Sequence, residues 1–196
     1  ATNIDMASSA LENAMLNLET MIRIDANGGT TSATLYTVVT GGEAKIRFPA
    51  KNYTATKEGH TFLGWNTDKN ATVGSTTTLT VPVGATVYAI FAANTYSVKF
   101  YNTVTKETVK NETVKHGENA TAPEVPQIMK NDADTHYVFK GWNKAFTNIK
   151  EDVTVNTIYE AVAHNFELTS SVAPTCNATG TNVYTCTDCG YTKTET

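Results

Sequence analysis

The chain has 196 residues, of which 40% are hydrophobic and 9% aromatic, so it can bury small cores and is not a disordered chain. Its net charge of -4 gives no basic footprint, which makes nucleic acid and anionic membrane surfaces poor candidate partners. No apolar run approaches the ~20 residues that span a bilayer. Threonine is abundant, and Val, Tyr and Phe recur between Gly and Asn breaks, so we expect a mainly β (α+β) fold.

Residues 1–20 predict a helical lead-in of about three turns. Apolar side chains recur there at helical spacing: Leu11, Ala14, Met15 and Leu18. Ser8 or Ser9 is a candidate N-cap, with Glu12 at capping-box distance from Ser9. Such a helix belongs to an upstream domain, docks on the following unit, or binds a partner, and the sequence leaves these three readings open.

A duplicated phrase dominates the rest of the chain. Phe62-Leu-Gly64-Trp65-Asn66 returns as Phe139-Lys-Gly141-Trp142-Asn143. Three more landmarks recur in the same order: Ile22-Arg-Ile24 as Val98-Lys-Phe100, Gly42-Glu43 as Gly117-Glu118, and Thr86-Val-Tyr88 as Thr157-Ile-Tyr159. Offsets of 76, 75, 77 and 71 residues in one order are hard to obtain by chance. We therefore predict two copies of one module, repeat one at residues 21–94 and repeat two at residues 95–163.

Alternating apolar and polar residues predict the strands of each repeat, beginning with residues 22–25 and 97–100. Asn27-Gly28-Gly29 predicts a tight hairpin, because these residues accept positive φ. Pro82 places the run around Leu79 and Val83 on a sheet edge. Residues 86–91 read as a buried strand, and residues 122–126, with two prolines, as an extended connector.

Phe62 and Trp65, like Phe139 and Trp142, are expected to anchor the core, with the intervening glycine allowing a bulge or a close strand contact. The alternative is a sugar-stacking platform of exposed aromatics. For that platform, spacing does not choose between the tryptophans and three tyrosines: Tyr36, Tyr53 and Tyr101.

The order of strand, Asn-Gly-Gly, long connector, Gly-His-Thr-Phe-Leu-Gly-Trp-Asn-Thr-Asp and Thr-Val-Tyr-Ala resembles the Listeria-Bacteroides (internalin B-type) repeat. His60 and Asn66 stand at two positions where that family has tyrosine, and repeat two lacks both Asn-Gly-Gly and Thr-Asp. The resemblance implies small β-grasp-like units found in tandem in bacterial surface and secreted proteins. It brings no catalytic residues.

All three cysteines lie near the end of the chain. An odd number cannot pair completely within one chain. Cys186-x2-Cys189-Gly190 has the spacing of a zinc knuckle, in which two thiolates bind one ion. A structural zinc site needs four ligands, and His164 is the nearest upstream candidate to complete a set with Cys176. The spacing thus predicts a closed structural zinc site of His164, Cys176, Cys186 and Cys189.

The C-terminal segment, residues 164–196, also resembles a short module of Gram-positive surface proteins with His, Thr-Cys, Gly, Tyr-x-Cys-x2-Cys-Gly and a Thr-Glu-rich exit. We expect a small, truncated, zinc-ribbon-like unit. Two alternatives stay open: a Cys186–Cys189 or Cys176-to-knuckle disulfide with one free thiol, and reduced cysteines without metal. Secretion favours the disulfide, whereas the odd cysteine and the histidine favour metal.

Catalytic signatures are missing from the sequence: it contains no nucleophile elbow, phosphate loop or His-Glu-x-x-His. His60, His116 and His136 are expected to be ordinary surface or strand histidines. Asp132 and Asp134 form an isolated Asp-x-Asp, which is a weak calcium signal.

We therefore expect a non-catalytic segment of an extracellular or cell wall-attached bacterial protein that serves as stalk, spacer or adhesion surface, and that is a fragment and a monomer. It would not bind nucleic acid or insert into a membrane. Two alternatives remain, a module that binds a glycan or a host protein and an accessory region of a larger extracellular enzyme.

Overall fold

The computed structural model describes residues 3–19, 21–37, 45–130 and 132–196. Strands dominate these ranges, and the prediction of a mainly β fold is confirmed. The chain divides into two compact units, Ala1–Asn94 and Thr95–Thr196. Within the described ranges, no helix combines the length and the apolar character that crossing a bilayer requires.

The lead-in helix, α1, spans Asn3–Glu19 and is longer than expected. It already includes Ser8 and Ser9, so the N-cap prediction is wrong: no glycine or proline upstream stops the helix, and Met6 and Ala7 are good helix formers. Side chains from residues 3 to 13 are exposed, including Leu11 at 63%. This part of α1 therefore does not dock on repeat one.

In the described part of repeat one, residues 21–37 and 45–94, the strands form three small sheets, and Ala50–Asn52 forms one 3-10 turn. Its strands are β1 (Met21–Asp25), β2 (Thr30–Thr31), β3 (Leu35–Thr37), β4 (Lys45–Phe48), β5 (Ala55–Thr56), β6 (His60–Asn66), β7 (Leu79–Pro82) and β8 (Thr86–Ala93). The main sheet has the order β3-β1-β8-β6, with β1 and β8 parallel. β4 pairs with β7, and β2 with β5. Because β7 lies in a two-stranded sheet, the edge position predicted from Pro82 is confirmed.

The core of repeat one lies on one face of the main sheet, as the alternating pattern predicts. Ile22 and Ile24 of β1 and Val87 of β8 are buried there, together with Phe48 and the fully buried Trp65. The Trp65 indole N–H donates to the Tyr53 carbonyl at 3.2 Å, which satisfies its polar atom. The core assignment of Trp65 is confirmed.

The hairpin predicted at Asn27-Gly28-Gly29 is wrong, although the turn itself forms. Asn27 and Gly28 have φ of 48° and 81°, and the Gly29 N–H donates to the Ala26 carbonyl at 2.9 Å. The strand after this turn, β2, pairs with β5, while β1 pairs with β3. Turn chemistry sets the local bend, whereas strand pairing depends on distant residues.

The residues of repeat two that the structure describes, 95–130 and 132–163, form one five-stranded sheet of order β10-β9-β13-β12-β11. Its strands are β9 (Thr95–Asn102), β10 (Glu107–Lys115), β11 (Ile128–Lys130), β12 (Thr135–Trp142) and β13 (Val153–Ala163). Val98, Phe100 and Val155 are buried in its core, and the half-buried Trp142 packs on them. Residues 121–126 carry no helix or strand, in keeping with the predicted connector.

The two repeats share their architecture, but their last strands align differently from the sequence prediction. β1 pairs with β8 in parallel, and β9 pairs with β13 in the same way, so Ile24 faces Val87 as Phe100 faces Val155. Phe62 faces Phe91 as Phe139 faces Tyr159. Tyr159 therefore matches Phe91, and the proposed match of Tyr159 with Tyr88 is wrong by three residues. The structural match is Thr86-Val-Tyr-Ala-Ile-Phe with Thr154-Val-Asn-Thr-Ile-Tyr.

Both copies of the phrase around tryptophan carry the predicted bulge. The register shifts between Phe62 and Gly64 and again between Phe139 and Gly141. The residue after each glycine, Trp65 or Trp142, then turns toward its core. The equivalence of the two tryptophans is confirmed. The Gly42–Glu43 landmark lies outside the described residues.

The C-terminal sheet is antiparallel, with strands β14 (Phe166–Val172), β15 (Thr181–Cys186) and β16 (Thr192–Glu195) in that order. Nearly all of it is solvent-accessible. Within residues 164–196, all of which the structure describes, Cys186 is the one buried residue. A sheet of this size with so little apolar burial cannot stabilise itself by packing alone.

Candidate metal centre

Four side chains with metal-binding atoms meet in the second unit: His136, His164, Cys186 and Cys189. Each offers one nitrogen or sulfur, and these four atoms lie within 4.8 Å of one another. We call this group the metal cluster. His136 and Cys186 are buried, and the other two members are half-buried.

Strand register brings the metal cluster together. His136 lies on β12 opposite Val162, one residue before the end of β13. His164 follows β13 directly. Two residues further along, Phe166 pairs with Cys186 at the end of β15. The end of β13, the two-residue link that follows it (His164 and Asn165) and the end of β15 therefore converge beside His136.

The turn after β15 has the geometry of a metal knuckle. The Gly190 N–H donates to the Cys186 carbonyl at 2.9 Å, and Gly190 has φ of 68°, which a residue with a side chain adopts only with strain. The Tyr191 N–H points at Cys189 Sγ, 3.4 Å away. Backbone amides directed at sulfur stabilise a thiolate, the form in which cysteine binds metal.

The Cys186 thiol is prepared for ionisation. Burial alone would raise the pKa of Cys186, but hydrogen bonds from the backbone of Cys189 and Asp188 and from the His164 ring outweigh burial and lower the pKa to about 6. The lowered pKa favours the thiolate, the form in which cysteine binds metal. A metal ion that binds Cys186 therefore competes less with protonation of its sulfur.

The His164 ring is oriented as a metal ligand. Its Nε2 lies 2.9 Å from the Asp132 carbonyl, and its Nδ1 lies 3.4 Å from Cys189 Sγ. The bond to Asp132, more than the neighbouring Cys186, raises the pKa of His164. With Nε2–H donated to that carbonyl, Nδ1 faces the cluster, where it bonds to the cysteine sulfur without metal and would bind an ion once it has lost its proton. A carbonyl on the other ring nitrogen is the usual support of a metal-bound histidine. Tyr191 stacks on the same ring with centroids 4.9 Å apart.

The burial of His136 gives the strongest indication that the metal cluster can hold an ion. Its side chain is 2% exposed, and its Nδ1 has no hydrogen-bond partner among the described residues. A buried polar atom without a partner costs about 1–3 kcal/mol. One ring nitrogen of His136 belongs to the metal cluster, and its ring centroid lies 5.3 Å from that of His164.

The donor set fits zinc. Two thiolates and two imidazoles are a common structural zinc set, and tetrahedral bonds of about 2.0–2.3 Å place neighbouring ligand atoms about 3.3–3.8 Å apart. The 3.4 Å between His164 Nδ1 and Cys189 Sγ falls in this range. Four protein ligands leave no open position for a substrate or a water, so such a site is structural.

The structure brings together three of the four predicted ligands and leaves out Cys176. Cys176 is exposed and lies in the Thr175–Ala178 turn, beyond the end of β14. In the β14–β15 hairpin, Val172 pairs with Thr181 while Phe166 pairs with Cys186. About 17 Å of strand thus separates the Cys176 end from the cluster end. The hairpin register makes Cys176 an unsuitable ligand.

Sequence reasoning missed His136, which it treated as an ordinary strand histidine. The bulged phrase aligns His136 with Gly59 of repeat one. The sequence did contain a signal for this ligand, because repeat two has a histidine where repeat one has a glycine. A residue that only one copy has indicates a function that only this copy has.

The other candidate groups are engaged locally. The Asp132 carboxylate accepts the backbone N–H groups of Asp134 and Thr135, at 3.0 and 2.8 Å, as a turn cap. Tyr36 and Tyr53 pack on Phe48 in the first core, with centroids 5.6 and 5.1 Å from that ring. Asp132, Tyr36 and Tyr53 therefore have structural roles.

A third tyrosine candidate, Tyr101, is half-buried. The Lys99 ammonium lies 5.4 Å from its ring centroid.

Comparison with known proteins matches residues 21–90 and 96–168 to the Listeria-Bacteroides repeat domain. The two matched stretches correspond to repeats one and two, which confirms the resemblance seen in the sequence. No curated protein matches the chain. Cys186 and Cys189 lie beyond the second match.

Proposed function

Because the chain belongs to the Listeria-Bacteroides repeat family, whose repeats are typical of bacterial surface proteins and occur in extracellular bacterial proteins, we propose that it is a non-catalytic stalk, spacer or adhesion segment of a Gram-positive surface or secreted protein. The observation that carries this proposal is the duplication itself. Repeated units extend a surface or multiply a contact, whereas catalysis needs one converging constellation.

The packing of the aromatic residues supports the spacer role over a glycan platform. Trp65 is fully buried, and Tyr36 and Tyr53 rest against Phe48. A sugar platform needs an open ring face, and these rings turn their faces or edges to the protein. Binding of a host protein and an accessory role in an extracellular enzyme remain the alternative functions.

We further propose that the metal cluster holds one structural zinc ion that stabilises the C-terminal sheet. The supporting observation is that the one buried residue of that sheet, Cys186, is itself a cluster thiol. Zinc binding contributes folding free energy to segments too small to bury a core.

Metal analysis of the purified chain tests the zinc proposal. We expect one equivalent of zinc, lost in both Cys186→Ser and Cys189→Ser. Cys176→Ser is the matched control: it also removes a thiol from the same segment, but it should keep zinc. A metal-free protein with a Cys186–Cys189 disulfide in its intact mass would contradict the proposal.

The non-catalytic proposal is tested separately. The chain should turn over no generic ester, glycoside, phosphate or peptide substrate, and it should sediment as a monomer with no affinity for nucleic acid. A turnover that survives repurification and disappears with one point substitution would make the enzymatic alternative the better one.

A further inference from the structure

We propose that the metal ion is a clasp that joins the C-terminal sheet to repeat two and controls how rigidly the two are connected. This inference rests on the zinc site proposed above and adds a role for it between modules.

The ligands come from three separate parts of the second unit. His136 belongs to β12, inside the sheet of repeat two. Cys186 and Cys189 belong to the end of β15 and the turn after it, beyond the second family match. His164 lies in the link between them. A zinc ion bound by all four is therefore a crosslink between the two sheets, and not only a staple within the smaller one.

The link itself is short, and its two residues bond to different sides. β13 ends at Ala163 and β14 begins at Phe166, which leaves His164 and Asn165 between the sheets. The His164 N–H donates to the Asp134 carbonyl at 3.2 Å, and its ring bonds to Asp132 at 2.9 Å. Asn165 bonds instead to the C-terminal segment, where its carbonyl accepts the Thr187 N–H at 2.9 Å. The hydrogen bonds of His164 to repeat two resist bending of the link only modestly.

The two buried ligands lie on strands that have little freedom to move. His136 sits in β12 between β11 and β13, and Cys186 pairs with Phe166 of β14. A metal bond to each removes the remaining rotation about the link. Loss of the metal would free the link while the sheet of repeat two stays folded, because that sheet has its own core around Phe100 and Val155.

Hydrogen–deuterium exchange on the full chain, with and without zinc, tests the clasp. The clasp predicts slower exchange on zinc binding in two places, the C-terminal sheet and residues 135–138 of β12. If zinc is only a staple for the smaller sheet, slowing is confined to residues 164–196. That result would overturn the clasp while leaving the zinc proposal standing.

A second experiment on the clasp substitutes its ligand from repeat two. His136→Ala should weaken zinc binding by more than about tenfold and abolish the zinc-dependent slowing at residues 135–138, because the crosslink loses its anchor. His60→Ala, which removes a histidine from repeat one, should change neither. Because removal of the buried imidazole can itself unfold the protein, His136→Cys is the companion variant. Its thiolate can bind zinc, so it should restore the zinc-dependent slowing of exchange in β12.

The outcomes separate the two proposals. Unchanged zinc affinity in His136→Ala contradicts the clasp alone. A wild-type chain that binds no zinc contradicts both the clasp and the structural zinc site, but leaves the surface-segment function untouched.

Discussion

Gly64 and Gly141 occupy the same position in their repeats, yet their surroundings differ. Both have positive φ, 121° and 134°, because each sits at the bulge. At Gly64, a Cβ would lie 2.5 Å from the Ser75 carbonyl oxygen, since Ser75 and Trp65 exchange two backbone hydrogen bonds of 2.9 Å. At Gly141, a Cβ would meet nothing within 4 Å. In both copies the glycine thus permits the positive φ of the bulge. In repeat one it also leaves room for the Ser75 backbone.

Substitution should separate these two purposes. Gly64→Ala should lower the free energy of unfolding by about 3 kcal/mol or more, from backbone strain and steric overlap together. Gly141→Ala should lower it by about 1–2 kcal/mol, from the backbone alone. Urea titration of the two variants measures the difference, and equal losses would mean that the Ser75 segment moves away at little cost.

Glu112 gives the second unit a pH-sensitive contact. Its carboxylate accepts from the Lys110 ammonium and from the Thr121 N–H, both at 2.8 Å, and so ties the connector after β10 to that strand. The Lys110 bond, followed by the Thr121 bond, lowers the pKa of Glu112 below its ordinary 4.5.

A carboxyl group whose pKa is lowered on folding stabilises the protein above its unfolded pKa and loses that contribution as pH falls through its folded pKa. Below about pH 4.5, the wild type should therefore lose stability more steeply than Glu112→Gln. Thermal melts of both proteins between pH 7 and pH 3 measure this. Parallel curves would mean that solvent screens the contact completely.

At the scale of elements, the last strand of each repeat shows how the copies diverged. Sequence matching aligned Val87 with Ile158, whereas the strand register aligns Val87 with Val155. Val87 and Val155 are both fully buried, but Ile158 is 46% exposed. From the tryptophan to the buried valine of the last strand, repeat one spans 22 positions (65 to 87) and repeat two 13 (142 to 155), so repeat two is nine residues shorter, whereas the alignment made from sequence implied six. The difference is hidden in the sequence, because both alignments place an aliphatic residue after threonine.

The two alignments predict different costs of truncation. By the structural register, Val155→Ala should destabilise the second unit by about 1.5–3 kcal/mol, the contribution of a fully buried valine. Ile158→Ala should cost less than about 1 kcal/mol, because its side chain is half in water already. Denaturant unfolding of both variants decides between them, and a larger loss for Ile158→Ala would restore the alignment made from sequence.

At the scale of the whole molecule, each of the two compact units has its own core. Trp65, Phe48 and Ile22 lie in the first core, and Phe100 and Val155 in the second. Separate cores allow separate unfolding transitions. The metal cluster belongs wholly to the second unit, so perturbing it should leave the first unit unaffected.

Calorimetry of the full chain should therefore resolve two transitions. Trp65→Ala should cost about 3–5 kcal/mol and shift only the transition of the first unit, with zinc content unchanged. Zinc removal by a chelator should shift only the transition of the second unit. A single transition that moves under both perturbations would show that the units unfold as one.

The sequence alone determined the features that depend on local chemistry. The duplicated phrase predicted a bulge or a close strand contact at Gly64 and Gly141 and the core position of Trp65, because a glycine between two large aromatic residues permits both. The spacing of Cys186 and Cys189 likewise indicated a knuckle, since both ligands lie in one turn.

Only the tertiary structure decided what depends on pairing between distant strands. The register of β14 on β15 excluded Cys176 from the metal cluster, and the register of β12 on β13 supplied His136 in its place. The same holds for β1, which pairs with β3 rather than with the strand after its turn. A strand accepts several partners and registers by its own pattern, and the choice among them follows from burial summed over the whole unit, which no short stretch of sequence contains.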